Sequence, residues 1–428
     1  MAHNTNISLR SQVLYSIYVR AHTPEGTFRA IHADLDRIRD LGVDIIWFMP
    51  IHPIGVKGKK GSLGCPYANR DYRSVNPEYG TMEDFRALVD AIHEKGMKCI
   101  IDVVYNHTAP DSTLVSQHPE FFYKKPDGTM GNRIGDWTDV VDLDYRCKDL
   151  WEYQIESLKI WAGIVDGFRC DVASMVDLEF WCAARTAVEE IRPDCIWLAE
   201  TTEGRFVQEN RLNGMYSAND VEMYRAFDME YDYDIWEVFR RYVTGQGHLS
   251  NYMDALNFQE YQYPINFIKM RCLENHDQPR ICRDIRDDRA LDNFTAMLYF
   301  LKGSTLLYAG QEFCCDDTPS LFEKEVFPRT GRNISSYLAK LNQIKKSILS
   351  PHDSAYYRAM DNEEIAVCLR NDGITRKLGI FSLSGKSACV EVPFPDGVYT
   401  NHLDGTQIQV ENSALLCSGM PMILTCNA

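Results

Sequence analysis

The sequence predicts an α/β protein: a closed parallel (β/α)8 barrel, interrupted by a loop-rich insertion after its third strand and followed by an antiparallel β domain. Three observations carry this. Eight short β-rich runs alternate with amphipathic stretches, one connection of about forty residues breaks the rhythm, and beyond about residue 352 the pattern changes to period-two alternation with Gly, Asn and Asp turns. A chain of 428 residues with 45% hydrophobic content is long enough for one large domain and a smaller one.

The runs are "VLYSIYV" (13–19), "VDIIWFMP" (43–50), "KCIIDVVY" (98–105), "VDGFRC" (165–170), "CIWLAE" (195–200), "YRAFDMEY" (224–231), "FIKMRCLE" (267–274) and "STLLYAG" (304–310). Between the first two, Phe28, Ile31, Leu35, Ile38 and Leu41 fall at spacings of three and four, which predicts one helical face with Gly42 as its stop. Phe85, Leu88, Val89 and Ile92 repeat the pattern before Gly96, as do Trp151, Ile155, Leu158 and Ala162 before Gly163. A helix after each strand is what a right-handed barrel requires. The long connection "NHTAPDSTLVSQHPEFFYKKPDGTMGNRIGDWTDVVDLD" is rich in Pro, Gly and Asp, and loops of that length are usually functional. The expected organisation is a barrel over 1–105 and 146–350, an insertion over 106–145, and a C-terminal β-sandwich over 351–428.

A formal net charge of −16 argues against nucleic acid and leaves a neutral or cationic ligand. The start "MAHNTNISLRSQ" lacks a basic, apolar leader and no run reaches membrane-spanning length, so the expected location is cytoplasmic. Fourteen cysteines are scattered, and Cys99, Cys170, Cys195 and Cys272 sit within apolar runs, as reduced core thiols do. The adjacent Cys314 and Cys315 have no C-x-x-C partner and do not read as a zinc site.

In such a barrel the C-terminal strand ends converge, so polar residues there are site candidates. Asp102 and Asn106–His107 close the third run, Arg169 and Asp171 the fourth, Glu200 the fifth, and Asn275–His276–Asp277 the seventh. Asp171, Glu200 and Asp277 would gather three carboxylates in one pocket, where repulsion and burial raise at least one pKa. Arg169, two residues before Asp171 and on the same strand face, can hold one carboxylate ionised. A carboxylate nucleophile beside a separate carboxylic acid is the equipment for glycosidic cleavage with retention. Metal-dependent phosphate chemistry, the competing use of clustered carboxylates, would need a phosphate-cradling loop or basic patch that the sequence does not show.

"DVVYNH" (102–107), "GFRCD" (167–171), the Glu of "WLAE" (197–200) and "ENHD" (274–277), in that order, resemble the four signature regions of the α-amylase family of glycoside hydrolases. The likeness extends to "GCPYANRDYRSVNPEYGT" and "VVDLD" and covers roughly residues 13–310. It implies a TIM barrel in which Asp171 is the nucleophile, Glu200 the general acid/base and Asp277 the third carboxylate holding the distorted sugar, with Asp171 and Glu200 about 5 Å apart. Arg169, His107 and His276 match sugar-binding residues, Asp102 matches the residue that steadies the arginine, and Tyr67 matches the stacking aromatic. Asn106 and Asp142 match calcium ligands, whereas Met175 stands where a calcium-ligating histidine is frequent, and "RAHTPEGTF" lacks the D-x-[DN]-x-[DN]-G spacing of the family's other cation site. No cofactor is therefore required, and calcium is at most optional.

The resemblance implies hydrolysis of α-1,4 bonds in maltodextrins or starch-type glucans. Val172 after the nucleophile also occurs in members that act on α-1,6 bonds, short maltodextrins or cyclodextrins. The alternative enzyme is a glucan transferase or isomerase in which a sugar replaces water at the covalent intermediate. A carbohydrate-binding protein that had lost its chemistry would be expected to lack one of the three carboxylates, and all three are present.

Overall fold

A computed structural model describes residues 4–135 and 137–428. Eight parallel strands close a barrel: β1 (Val13–Ile17), β2 (Ile45–Phe48), β3 (Lys98–Val103), β4 (Gly167–Cys170), β5 (Ile196–Ala199), β6 (Met229–Tyr231), β7 (Lys269–Arg271) and β8 (Ser304–Tyr308), each beside its neighbours in sequence and with β1 paired to β8. Apart from Lys98, the strand residues are buried on both faces, which is why the runs read as continuous apolar stretches instead of alternating ones. Gly167 opens β4 because nothing larger fits: a Cβ there would lie 2.2 Å from the Ile196 carbonyl oxygen on β5.

The helix after β2, α1 (Met82–Glu94), starts on a capping box between Thr81 and Asp84, buries Phe85, Leu88, Val89 and Ile92, and ends before Gly96 at φ +75°. Two elements differ from the periodicity. The expected helix over residues 28–41 is broken into Phe28–His32 and Leu35–Asp40, although all five apolar residues stay buried. At the break, the Asp34 carboxylate is held by His22, Arg37 and Arg329 at 2.8, 2.6 and 2.9 Å. After β3, α2 (Lys148–Ala162) buries the predicted Leu158 and Ala162 together with Leu150, Gln154, Ser157 and Trp161, so its buried face is turned partly from the predicted one and Trp151 and Ile155 are only half-buried. The sixth strand is also shorter than its run, because Asp220–Met223 is helical and Tyr224 closes that helix.

The segment between β3 and α2 is rooted by a short ladder in which His107 and Thr108 pair with Asp142 and Val141. After the barrel, β9 (Ser354–Met360), β10 (Ile365–Asn371), β11 (Thr375–Ser382) and, in chain order beyond the pairs Ala388–Glu391 with Ala414–Cys417 and Gly397–Thr400 with Gln407–Val410, the final strand Met422–Asn427 form an antiparallel four-stranded sheet. One face of this sheet joins the barrel core: Tyr357, Ala366, Cys368, Phe381 and Ile423 belong to the same cluster as the barrel residues, and the Phe300 and Phe381 rings are 5.6 Å apart. None of the cysteines is in a disulfide, and Cys99, Cys170, Cys195 and Cys272 are buried. Among the described residues no helix is long and apolar enough to cross a membrane.

Candidate active site

The parallel strands direct their C-terminal ends to one face. Asp102 and Arg169 are register partners on β3 and β4, and Asp171 and Glu200 each follow the last residue of their strand by one position. His276 and Asp277 lie in the turn after β7, and His107 opens the ladder beyond β3.

Arg169, wholly buried, ties the group together. Its Nη1 donates to both Asp102 oxygens at 2.8 and 2.9 Å and to Asp171 Oδ1 at 2.7 Å, while Nη2 lies 2.9 Å from Glu200 Oε1. Its Nε donates to the Tyr231 hydroxyl at 3.2 Å, and the Trp47, Tyr67 and Tyr231 rings surround it with centroids 5.3, 5.6 and 5.3 Å away. One positive charge serves three buried carboxyls, so each carboxyl is only partly compensated.

Burial is the largest influence on all three and pushes their pKa values up, Asp102 and Asp171 to about 6 and Glu200 to about 7; Arg169 pulls each back down, and the neighbouring carboxylates add to the rise. Glu200 Oε2 also accepts the Val172 N–H at 2.7 Å. Val172 makes that bond from the left-handed region, φ +34° and ψ +44°, a conformation costly for a β-branched residue and of the kind that concentrates at functional sites.

Asp277 differs. Desolvation raises its pKa, but the His276 imidazole 3.0 Å away and Arg169 outweigh it and hold the carboxyl below its ordinary range. His276 Nε2 is also 2.7 Å from the Tyr67 hydroxyl, which donates to Asp102 Oδ2 at 3.1 Å, and the Tyr67 ring stacks on His276 at 5.5 Å and 11°. His107 Nε2 lies 4.0 Å from Asp171 Oδ2; burial takes its pKa down to about 4, so the imidazole is neutral at neutral pH. Asp171, Glu200, Asp277, Tyr67 and His107 thus line one cavity of about 330 Å³, at the small end of ligand sites, with Arg169, Asp102 and His276 beneath or beside them.

Several contributors were not singled out from sequence. Tyr231 ends its run at the strand position that yields site residues elsewhere, so a signal existed. Tyr233 accepts from Asn275 Nδ2 at 2.9 Å while Asn275 Oδ1 accepts the Asp277 N–H at 2.9 Å, which fixes the turn carrying Asp277. Lys60, Trp137, Leu321 and Phe322, which also line the cavity, lie in irregular loops without periodic signal.

Asn106 and Asp142 lie outside this cavity, and the donors there do not fit calcium. Asp142 Oδ2 accepts from the Arg133 backbone N–H at 2.7 Å and lies 3.4 Å from its guanidinium, while the Asn106 amide faces His107 Nδ1 at 3.1 Å. Asp142 Oδ1 is the one buried oxygen of the pair without a protein partner, against the six to eight oxygens calcium takes, and Arg133 already supplies a positive charge. Among the described residues no three His, Cys, Asp or Glu side chains converge as a metal site.

Comparison with known proteins gives a consistent picture. The family model for the α-amylase catalytic domain matches residues 4–127 and 134–363, and that for the bacterial α-amylase C-terminal domain matches 356–424. The crystal structure of an α-amylase from Lactobacillus plantarum is 39% identical with a TM-score of 0.94, covering 98% of this chain and all of that one. A noncanonic maltogenic α-amylase, AmyB from Thermotoga neapolitana, is 32% identical with a TM-score of 0.87 over 98% of this chain and all of that one. Among curated relatives, an α-1,4-glucan:maltose-1-phosphate maltosyltransferase from Picrophilus torridus is 26% identical over 407 residues, 87% of this chain and 61% of the relative, so the chain spans less than two thirds of that protein's length.

Proposed function

The chain belongs to the α-amylase family, whose members act on glycosidic bonds, and from that premise we propose that it hydrolyses α-1,4-glucosidic bonds of maltodextrins with retention of configuration. The observation that supports this most is the pairing of Asp171 and Glu200 through one guanidinium, with burial raising the pKa of both carboxyls and Arg169 pulling each back.

In this reading Asp171, ionised and oriented by Arg169, attacks the anomeric carbon as the bond to the leaving oxygen breaks; the bonding pair departs with that oxygen, which takes the Glu200 proton. Glu200, now ionised, removes a proton from water, the water oxygen bonds to the anomeric carbon, and the bond to Asp171 breaks. Two inversions return the α configuration. Asp277, kept ionised by His276, accepts hydrogen bonds from ring hydroxyls as the sugar distorts, His107 and His276 bind the same ring, Tyr67 offers it an aromatic face, and Asp102 fixes Arg169. We assign the catalytic barrel to 1–105 and 146–350, the insertion to 106–145 and the second domain to 351–428.

A second reading, transfer to a sugar acceptor, is favoured by the likeness to proteins named as maltosyltransferases. Digestion of a maltooligosaccharide series followed by NMR of fresh product separates the readings. Shorter α-configured sugars are expected; longer oligomers would move the reaction to transfer, and β-configured product would overturn the double displacement.

A further inference from the structure

We propose that the pocket is closed on the side where the non-reducing part of the substrate lies, so that the protein cleaves from non-reducing chain ends and releases short products; this rests on the hydrolytic reading above. In the closed barrel β1 stands diametrically opposite β5, and its neighbours are β2 and β8. Glu200 follows β5 and protonates the leaving oxygen, so the reducing-side portion departs past Glu200 and the other portion extends toward the loops after β2 and β8.

Those two loops are joined across that side. The Leu63 N–H donates to the Phe322 carbonyl at 3.0 Å, the Ser62 N–H donates to Glu323 Oε1 at 2.7 Å, and the Ser62 hydroxyl donates to Glu323 Oε2. Gly61, at φ +62°, lets the chains meet, since a Cβ there would lie 2.5 Å from Phe322 Cβ. Behind the junction the buried Arg20, paired with Glu78 at 2.8 Å, donates to the carbonyls of Gly64 and Leu321 at 3.2 Å and of Leu63 at 3.4 Å, so one side chain clamps both loops. The Tyr18 hydroxyl donates to the Leu321 carbonyl at 2.9 Å. On the other flank Lys60 pairs with Asp139 of the insertion at 3.1 Å. The result is a collar of three loops that places Lys60, Cys65, Leu321 and Phe322 on the wall of the same cavity as the carboxyls. An open groove would let a glucan pass through; a collar tied at its rim by the exposed Ser62–Glu323 bonds and clamped from behind by the buried Arg20 stops it.

The test compares a maltoheptaoside carrying a chromogenic reducing end with the same molecule blocked at its non-reducing terminus, together with a cyclodextrin. Wild-type kcat/KM on the blocked substrate should fall by about a hundredfold or more, because a group that clashes is rejected more strongly than one that merely lacks a contact, and the cyclodextrin should stay intact. The double variant Ser62→Ala/Glu323→Ala should raise the blocked-to-unblocked ratio about tenfold. Equal rates on both substrates would overturn the collar and leave the hydrolytic reading standing. If neither substrate is cleaved, the hydrolytic reading falls, and calorimetry on the Glu200→Gln variant decides the collar alone: equal affinity for the two maltoheptaosides overturns it, and selective binding of the unblocked one supports it.

Discussion

Asp102→Asn removes one negative charge from the Arg169 cluster while keeping the side-chain shape. The Asn oxygen can still accept from the guanidinium, while the amide that replaces Oδ2 gives up the second bond from Nη1 and can donate to the Tyr67 hydroxyl in place of the bond now accepted from it. Asp102 and Asp171 both lie on Arg169 Nη1, at 2.8 and 2.7 Å, so their nearest oxygens are at most about 5.5 Å apart. At an effective dielectric of about 20 two unit charges at that distance repel by ~3 kcal/mol, or ~2 pKa units. Asp102 is one of the influences raising Asp171, after burial and against Arg169, so its removal lowers the Asp171 pKa from about 6. In the proposed reaction Asp171 acts ionised, so activity falls as pH drops through that pKa. The acid limb of the kcat/KM profile should therefore move to lower pH by up to ~2 units, and the basic limb, set by Glu200, should move the same way by less. The assay is kcat/KM on a chromogenic maltooligoside across pH, with circular dichroism to confirm an intact fold. An acid limb still near the wild-type position in a folded variant would refute the electrostatic account of this cluster.

Glu200→Gln should lower kcat by about 10²–10⁴-fold, the usual worth of a general acid, with oligosaccharide affinity by calorimetry nearly unchanged; wild-type turnover would remove Glu200 from the proton transfer. A chelator should leave the melting temperature unchanged, whereas Arg133→Gln, which removes the cation beside Asp142, should lower it by about 1–3 °C; a drop on chelation that added calcium restores would show a bound metal. Gly167→Ala should destabilise by about 3 kcal/mol, read by denaturant titration, since its methyl meets a strand carbonyl that has no room to retreat. It should also reduce kcat, because Arg169 sits two residues further along the same strand.

The eight strands were legible because residues buried on both faces leave unbroken apolar runs, and the candidate site residues stood out because four of the runs carry, at or just past their ends, polar residues that a core strand would not otherwise hold. Periodicity failed where distant charges decided the backbone. The helix over residues 28–41 breaks at Asp34, whose carboxylate is drawn to His22, Arg37 and Arg329, the last almost three hundred residues away in sequence. The turned face of α2 has a related cause: Gln154 and Ser157 take buried positions that a purely apolar reading gives to Trp151 and Ile155. Asn106 and Asp142 matched a calcium pattern, yet the arginine beside Asp142 comes from Arg133, which no local motif marks. The cavity rim is harder still, since Leu321 and Phe322 act through backbone carbonyls whose partners no side-chain pattern announces.

The face that the C-terminal sheet turns toward the barrel also governs what can be cut away. Tyr357 accepts the Lys302 N–H just ahead of β8, Arg370 donates to the Phe300 carbonyl, and Asn257 makes paired bonds to the Tyr357 backbone. A chain ending near residue 350 would uncover Phe300 and the helix ends around it to water, leaving a sticky remnant instead of a smaller enzyme. Heat or denaturant should find no seam between the two parts, and shuffling this tail among unrelated barrels would require the underside of the recipient to be recut to match.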